Sequence, residues 1–245
     1  MNRSLLALAP AMCAALALTW APAAVRAADF NFIRLLNQAE FRAFSEDVGA
    51  AASYKGVIPA ESLGLIGFDI GVTAGVTEVT NRDVLRKAAG GASIPKALPA
   101  TSLRVHKGLP FDIDIGATLM QLPGTNVRAV GGELRWAFVA GSTVLPALAV
   151  RVSGTRVSGV EGLDMDTVGA DLSISKGFAF LTPYAGIGTV RVDAAAPGSS
   201  LRSESLTLAK RFVGVNIALV PLALVLEAER TGKATSYTVK AAIRF

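Results

Sequence analysis

His106 is the only histidine in the chain, so any hydrolase of the Ser-His-acid kind would have to be built on it. It precedes Lys107-Gly108-Leu109-Pro110, a short turn. In a membrane barrel that turn falls at the periplasmic end, whereas an enzyme acting on outer-leaflet lipid needs its catalytic group near the outer rim. We therefore expect no enzyme and no catalytic residue. One histidine and one cysteine, Cys13, do not make a metal cluster, and no cofactor is implied. Gly186-Ile-Gly188 has the glycine spacing of a nucleotide loop, but it lies within a strand pattern and opens no helix.

The charged residues at alternate strand positions offer more. Asp69, Asp112, Asp114, Glu133 and Asp171 are expected on inward faces, together with Arg135, Arg151, Lys240 and Arg244. Acids at successive inward positions are costly against lipid, so they mark a lumen and form a luminal charge network. Such a network has two readings: a salt-bridged core that fills a narrow barrel, or a polar passage whose selectivity the charges set. The inward glycines Gly67, Gly71, Gly75, Gly116, Gly131 and Gly169 leave room for either.

These side chains must be positioned by strands. The last eleven residues place Tyr237, Val239, Ala241, Ile243 and Phe245 on one face and Ser236, Thr238, Lys240, Ala242 and Arg244 on the other. One face suits lipid and one suits a lumen. Tyr237, Val239, Ile243 and the aromatic terminus also form the signal expected by barrel-assembly machinery. Period-2 alternation recurs at 65–78, 111–120, 133–138, 148–153 and 168–175, with weaker candidates at 101–107, 178–192 and 203–212, and a segment at 215–227 that is apolar on both faces. The fold expected is all-β, a transmembrane antiparallel up-and-down barrel of about ten strands, range about 8 to 12. One turn is expected at 211–214, and an even strand count puts both barrel ends of the chain in the periplasm.

Composition agrees. Mean hydropathy is +0.47 and half the residues are apolar, yet no apolar run after residue 27 is long enough for a spanning helix. Residues 1–27 carry Arg3, an apolar run and a small-residue ending at Ala27, and read as a cleaved signal peptide. Losing Arg3 and Arg26 lowers the formal charge from +5 to +3, too little to imply nucleic acid. Residues 28–62 form an N-terminal unit before the barrel at 63–245. Within it Phe32, Leu35, Leu36, Ala39 and Ala43, joined by Phe41, Phe44 and Val48, predict one amphipathic helix over 32–48, with Asn31 as cap and Gly49 past its end. This unit is either a plug in the lumen or a periplasmic foot.

Gln38-Ala39-Glu40-Phe41, Gly67-Phe68-Asp69-Ile70-Gly71, Lys107-Gly108-Leu109-Pro110-Phe111, Gly131-Gly132-Glu133-Leu134-Arg135, Ser175-Lys176-Gly177-Phe178 and Thr182-Pro183-Tyr184-Ala185-Gly186 follow one another in an order that resembles a group of uncharacterised proteobacterial outer-membrane β-barrel proteins. Similarity to outer-membrane-protein-W-like barrels and long-chain fatty-acid transporters rests on architecture. The resemblance implies a barrel in the outer membrane of a Gram-negative bacterium and no substrate. Expected partners are outer-membrane lipid, the assembly machinery and a small or apolar solute, with the protein a monomer. The leading function expected is a narrow channel for small or hydrophobic solutes, which would leave laterally past an apolar inner surface at 215–226. The alternative is a structural or surface-interaction barrel with a filled, non-conducting lumen.

Overall fold

A computed structural model describes residues 28–142 and 144–245, so the signal-peptide reading of 1–27 lies outside the described residues. Among those residues ten antiparallel strands close on themselves: β1 (Phe68–Glu78), β2 (Ala97–Leu109), β3 (Ile113–Gln121), β4 (Arg128–Val139), β5 (Ala147–Ser158), β6 (Asp164–Ser175), β7 (Leu181–Ala195), β8 (Glu204–Leu219), β9 (Leu222–Thr231) and β10 (Ala234–Arg244). Each strand pairs with its sequence neighbour, and β1 pairs with β10 from Asp69 opposite Arg244 to Glu78 opposite Thr235. Closure leaves the sheet without a free edge.

The alternation in the sequence sets which face is which. On β1, Ile70 and Val72 are about half exposed while Asp69, Gly71 and Thr73 are buried. The same division holds along β10, where Tyr237, Val239, Ile243 and Phe245 point outward and Thr238 and Lys240 inward. Leu103, Leu119, Leu134, Trp136, Val152, Val168 and Leu172 continue an exposed apolar band around the wall. No helix among the described residues is long and apolar enough to cross a membrane. The band is carried by strands alone.

Two strand assignments differ from the sequence reading. β8 runs without interruption through 211–214, its ladder with β7 continuing from Lys210 opposite Gly188 to Ile217 opposite Leu181. The turn comes at 220–221 instead, because Pro221 has no N–H to give a central ladder. The run 215–227 is therefore the end of one strand and the start of the next. Asp112 is the second correction. It lies in a 3₁₀ turn, Pro110–Asp112, with φ 56° and an exposed side chain, so it is outside the luminal network. Inward alternation begins only at Asp114.

We call the end holding Phe245 and the β2–β3, β4–β5, β6–β7 and β8–β9 turns the base, and the other end the top. The N-terminal unit starts at the top: the Ala28 amide donates to the Gly124 carbonyl in the β3–β4 connection at 2.7 Å. A 3₁₀ turn (Ile33–Leu35) leads to helix α1 (Gln38–Ala52). The helix starts six residues later than the apolar spacing predicted, because Asn37 and Glu40 form a reciprocal capping box. Phe32 and Leu35 consequently lie on the exposed side, and Phe41, Phe44 and Val48 form the buried face. A short helix α2 (Arg82–Ala88) in the β1–β2 connection covers this arrangement. From the end of α1 the chain descends through the lumen to Phe68 at the base, so residue 28 and residue 245 lie at opposite ends. Both ends of the barrel itself, Phe68 and Phe245, share the base as the even strand count requires, and residue 28 lies at the other end because the lumen carries the chain across.

The outward register yields a depth-dependent prediction. Ile70→Arg, within the apolar band, is expected to cost about 2–4 kcal/mol or block assembly, whereas Thr207→Arg, exposed on the upper part of β8, should cost under about 1 kcal/mol. Urea unfolding in lipid vesicles, followed by heat-modifiable gel mobility, measures both.

Candidate functional site

The candidate site is the lumen, which has two tiers. In the upper tier the inward positions are apolar: Leu98, Met120, Leu122, Val157, Met165, Val190, Val192, Leu206 and Leu208 surround Phe41, Phe44 and Val48 of α1 in one cluster. Phe30 packs edge-on to Phe44, with ring centroids 5.4 Å apart. Burying each such side chain contributes roughly 1.5–3 kcal/mol. Gly49 lets the helix approach Val192 closely, where a Cβ would lie 2.6 Å from Val192 Cγ1. Asp47, buried on the same helix, accepts from the Asn81 amide at 2.6 Å and the Thr80 amide at 3.3 Å. Burial raises its carboxyl above the usual carboxylate range, and the two amides oppose the rise. The helix is thus tied to the β1–β2 connection as well as to the wall.

In the lower tier the inward positions are charged, and the chain beside them is extended. Residues 53–63 form no ladder with any strand, so their peptide groups need partners from side chains. The wall supplies them. Thr155 Oγ1 donates to the Ala52 carbonyl at 3.1 Å, Lys210 Nζ to the Tyr54 carbonyl at 2.9 Å, and Arg104 to the Lys55 carbonyl. Arg135 donates to the Pro59 carbonyl and, at 3.2 Å, to that of Glu61. In the other direction the Val57 amide donates to Glu227 at 3.2 Å, the Ala60 amide to Ser175 Oγ at 3.1 Å, and the Leu63 amide to Asp114 at 3.0 Å. Small wall residues Ala137, Ala147 and Ala149 pack on Ala60. Val57, with φ 49°, sits in a backbone region that β-branched residues avoid, and is held there by Tyr184, Phe212 and Val225.

The same side chains bind one another around the wall. Lys240 meets Asp69 at 2.8 Å and Arg244 meets it at 2.6 Å. His106 lies between Asp69 and Glu133, 3.5 Å from each. Glu133 reaches Arg151 at 3.4 Å, Arg151 reaches Asp171 at 2.9 Å, and Lys210 joins Asp171 at 3.5 Å to Glu229 at 3.3 Å. Lys55, from the luminal segment, closes on Glu229 at 3.4 Å, and Arg135 holds Asp114 at 2.6 Å. Gly116 lies between His106 and Glu133, where any Cβ would meet both side chains. The glycine is what lets β2 and β4 touch across β3.

The structure places Asp69, Asp114, Glu133, Arg135, Arg151, Asp171, Lys240 and Arg244 in these ion pairs along the wall. The sequence reading missed Arg104, His106, Lys210, Glu227, Glu229 and the luminal Lys55. Placing a turn at 211–214 hid the inward parity of Lys210, Glu227 and Glu229, and treating 101–107 as short left His106 beside a turn. In the structure His106 is wholly buried within the lumen, shut off from any large substrate. Among the described residues no three acid, histidine or cysteine side chains converge as metal ligands. The inner face at 215–226 is also less apolar than expected: Asn216 is buried there opposite Val225, with Glu227 following.

Neither a protein-family model nor a curated protein matches the sequence. Solved structures with similar form include the KdgM porin (8% identity, TM-score 0.38, covering 72% of this chain and 99% of that one) and the translocator domain of the autotransporter NalP from Neisseria meningitidis (8%, 0.36, 83% and 93%). The attachment invasion locus protein Ail of Yersinia pestis is similar at 14% identity and TM-score 0.30, covering 77% of this chain and all of its own.

The tightest point in the lumen gives a test. A side chain on Gly56 would overlap the Arg151 guanidinium. Gly56→Val is expected to leave the barrel folded but unseat the luminal segment. Trypsin should then cut after Lys55, which is buried in the parent protein and expected to resist cleavage there. Equal resistance in both proteins would show that the segment is not held there.

Proposed function

We propose that this protein is an outer-membrane β-barrel of a Gram-negative bacterium whose lumen is filled by its own N-terminal segment, and which works through its outer surface and external end rather than as an open pore. The single observation carrying this reading is the match between the luminal segment and the wall: apolar helix against apolar wall above, extended backbone against hydrogen-bonding side chains below. A barrel of ten strands is narrow enough for side chains and one strand-like segment to occupy the interior.

The membrane reading rests on the exterior. Apolar side chains on alternate positions of every strand would be costly against water over such an area, and a bilayer is the solvent they fit. With the short turns at the base, the base faces the periplasm and the top, closed by α1 and α2, faces outward. Phe245, exposed at the base, then stands where assembly machinery would meet it. The channel reading has less support. Its lateral exit depended on an apolar inner face at 215–226, and the side chains there are interrupted by Asn216 and Glu227 and packed against Val57.

Single-channel recording in planar bilayers tests the proposal. The full mature chain is expected to pass no current, and a variant lacking residues 28–62, with normal heat-modifiable mobility, should pass discrete current steps. Steady current through the full chain would overturn the filled-lumen reading.

A further inference from the structure

Arg211 on β8 and Arg230 on β9 are direct cross-strand partners on the outer face, and both are exposed. Like charges directly opposite one another destabilise a sheet unless something neutralises them. Two other outward arginines are neutralised within the chain, Arg156 by Asp166 at 2.8 Å and Arg191 by Asp193 at 2.9 Å, and Arg128 on β4, with no acid partner among the described residues, faces no second arginine across the ladder. Arg211 and Arg230 have no such acid among the described residues. Arg230 reaches only the Gly232 carbonyl at 3.4 Å. The outward acid in the same row, Glu78, lies beyond Thr235 on β10, two strand spacings or about 10 Å from Arg230.

The height of the pair matters. Above it the outward positions are Thr189, Ala209 and Thr207, with Arg191 beside them. Below it they are Val213, Ala185 and Ala228, then Tyr237 on β10. The arginines therefore mark the upper margin of the apolar band. Directly beneath them is a groove of about 720 Å³, walled by Leu172, Ile187, Val213 and Tyr237 and kept shallow-sided by Ala185 and Ala228. An apolar trough capped by two unneutralised guanidiniums has the form of an amphiphile with an anionic head.

We propose that this face is a binding site for a phosphorylated lipid of the outer leaflet, its phosphate held between Arg211 and Arg230 and one acyl chain lying in the groove. Guanidinium forks match phosphate oxygens and give charge-assisted hydrogen bonds, strongest where the bilayer excludes water. A bound phosphate removes the repulsion between the two strands at the position where β8 continues upward beyond β9. The site rests on the membrane reading above but not on whether the lumen is filled, and a micelle binding assay keeps the two separate.

The test is native mass spectrometry of the full mature chain in nonionic micelles, titrated with lipid A, with lipid A stripped of its phosphates, and with inorganic phosphate. Lipid A should bind at least about tenfold more tightly than its dephosphorylated form. The double variant Arg211→Gln with Arg230→Gln should lose the same factor, while Arg211→Lys with Arg230→Lys, which keeps the charge but not the fork, should lose less. Ala228→Trp, which fills the groove, should weaken both lipids. Each variant must retain heat-modifiable mobility. The proposal is overturned if the glutamine variant binds lipid A as the parent does, if the two lipids bind equally, or if inorganic phosphate alone displaces lipid A.

Discussion

An extended peptide inside a closed barrel has neither water nor a neighbouring strand to satisfy its N–H and C=O groups, and leaving each one bare costs about 1–3 kcal/mol. That constraint organises the lower half of this molecule. Lys210, Arg104 and Arg135 point at carbonyls of residues 54–61, and Glu227, Ser175 and Asp114 accept from its amides. The charges so used would be costly to bury alone: Arg135 is offset by Asp114 and Lys210 by Asp171 and Glu229, while Arg104 donates to Ser102 Oγ and lies over the Tyr54 ring. The ion-pair belt and the luminal backbone are therefore one system. Removing either strands the other.

The upper half answers a different requirement with different chemistry. A helix satisfies its own backbone, so the wall around α1 needs only apolar side chains and room, and the change from charged to apolar inward residues follows the change from extended to helical chain. The exterior follows a third requirement. It is apolar where a bilayer would lie, and the unpaired Arg211 and Arg230 sit at that margin, where they find neither lipid tails nor a protein acid.

Much of the wall could be read from sequence because each strand carries its own evidence: alternation along β1, β5, β6 and β10 shows which side chains face in, and it placed Asp69, Arg151, Asp171 and Lys240 in the lumen. Parity is fragile, however. Moving one turn from 211–214 to 220–221 conceals Lys210, Glu227 and Glu229, and starting β3 two residues too early puts Asp112 inside when it lies in a turn. A plug in the lumen was one of two readings for residues 28–62, but the path of residues 53–63 along the wall was not legible. Its partners are side chains up to about 170 positions away, and nothing in Tyr-Lys-Gly-Val-Ile-Pro-Ala-Glu announces that arginines will bind its carbonyls. The amphipathic helix was legible as a helix, but apolar spacing gave it the wrong first turn, since the capping box at Asn37 outweighs Phe32 and Leu35.

The central claim is that the backbone of residues 53–63 is held by the wall. Hydrogen–deuterium exchange of the folded protein, resolved to single amides by fragmentation, reads this directly. The account predicts that Val57, Ala60 and Leu63 exchange as slowly as amides of β5, whereas exchange at the rate of an unstructured peptide would contradict it.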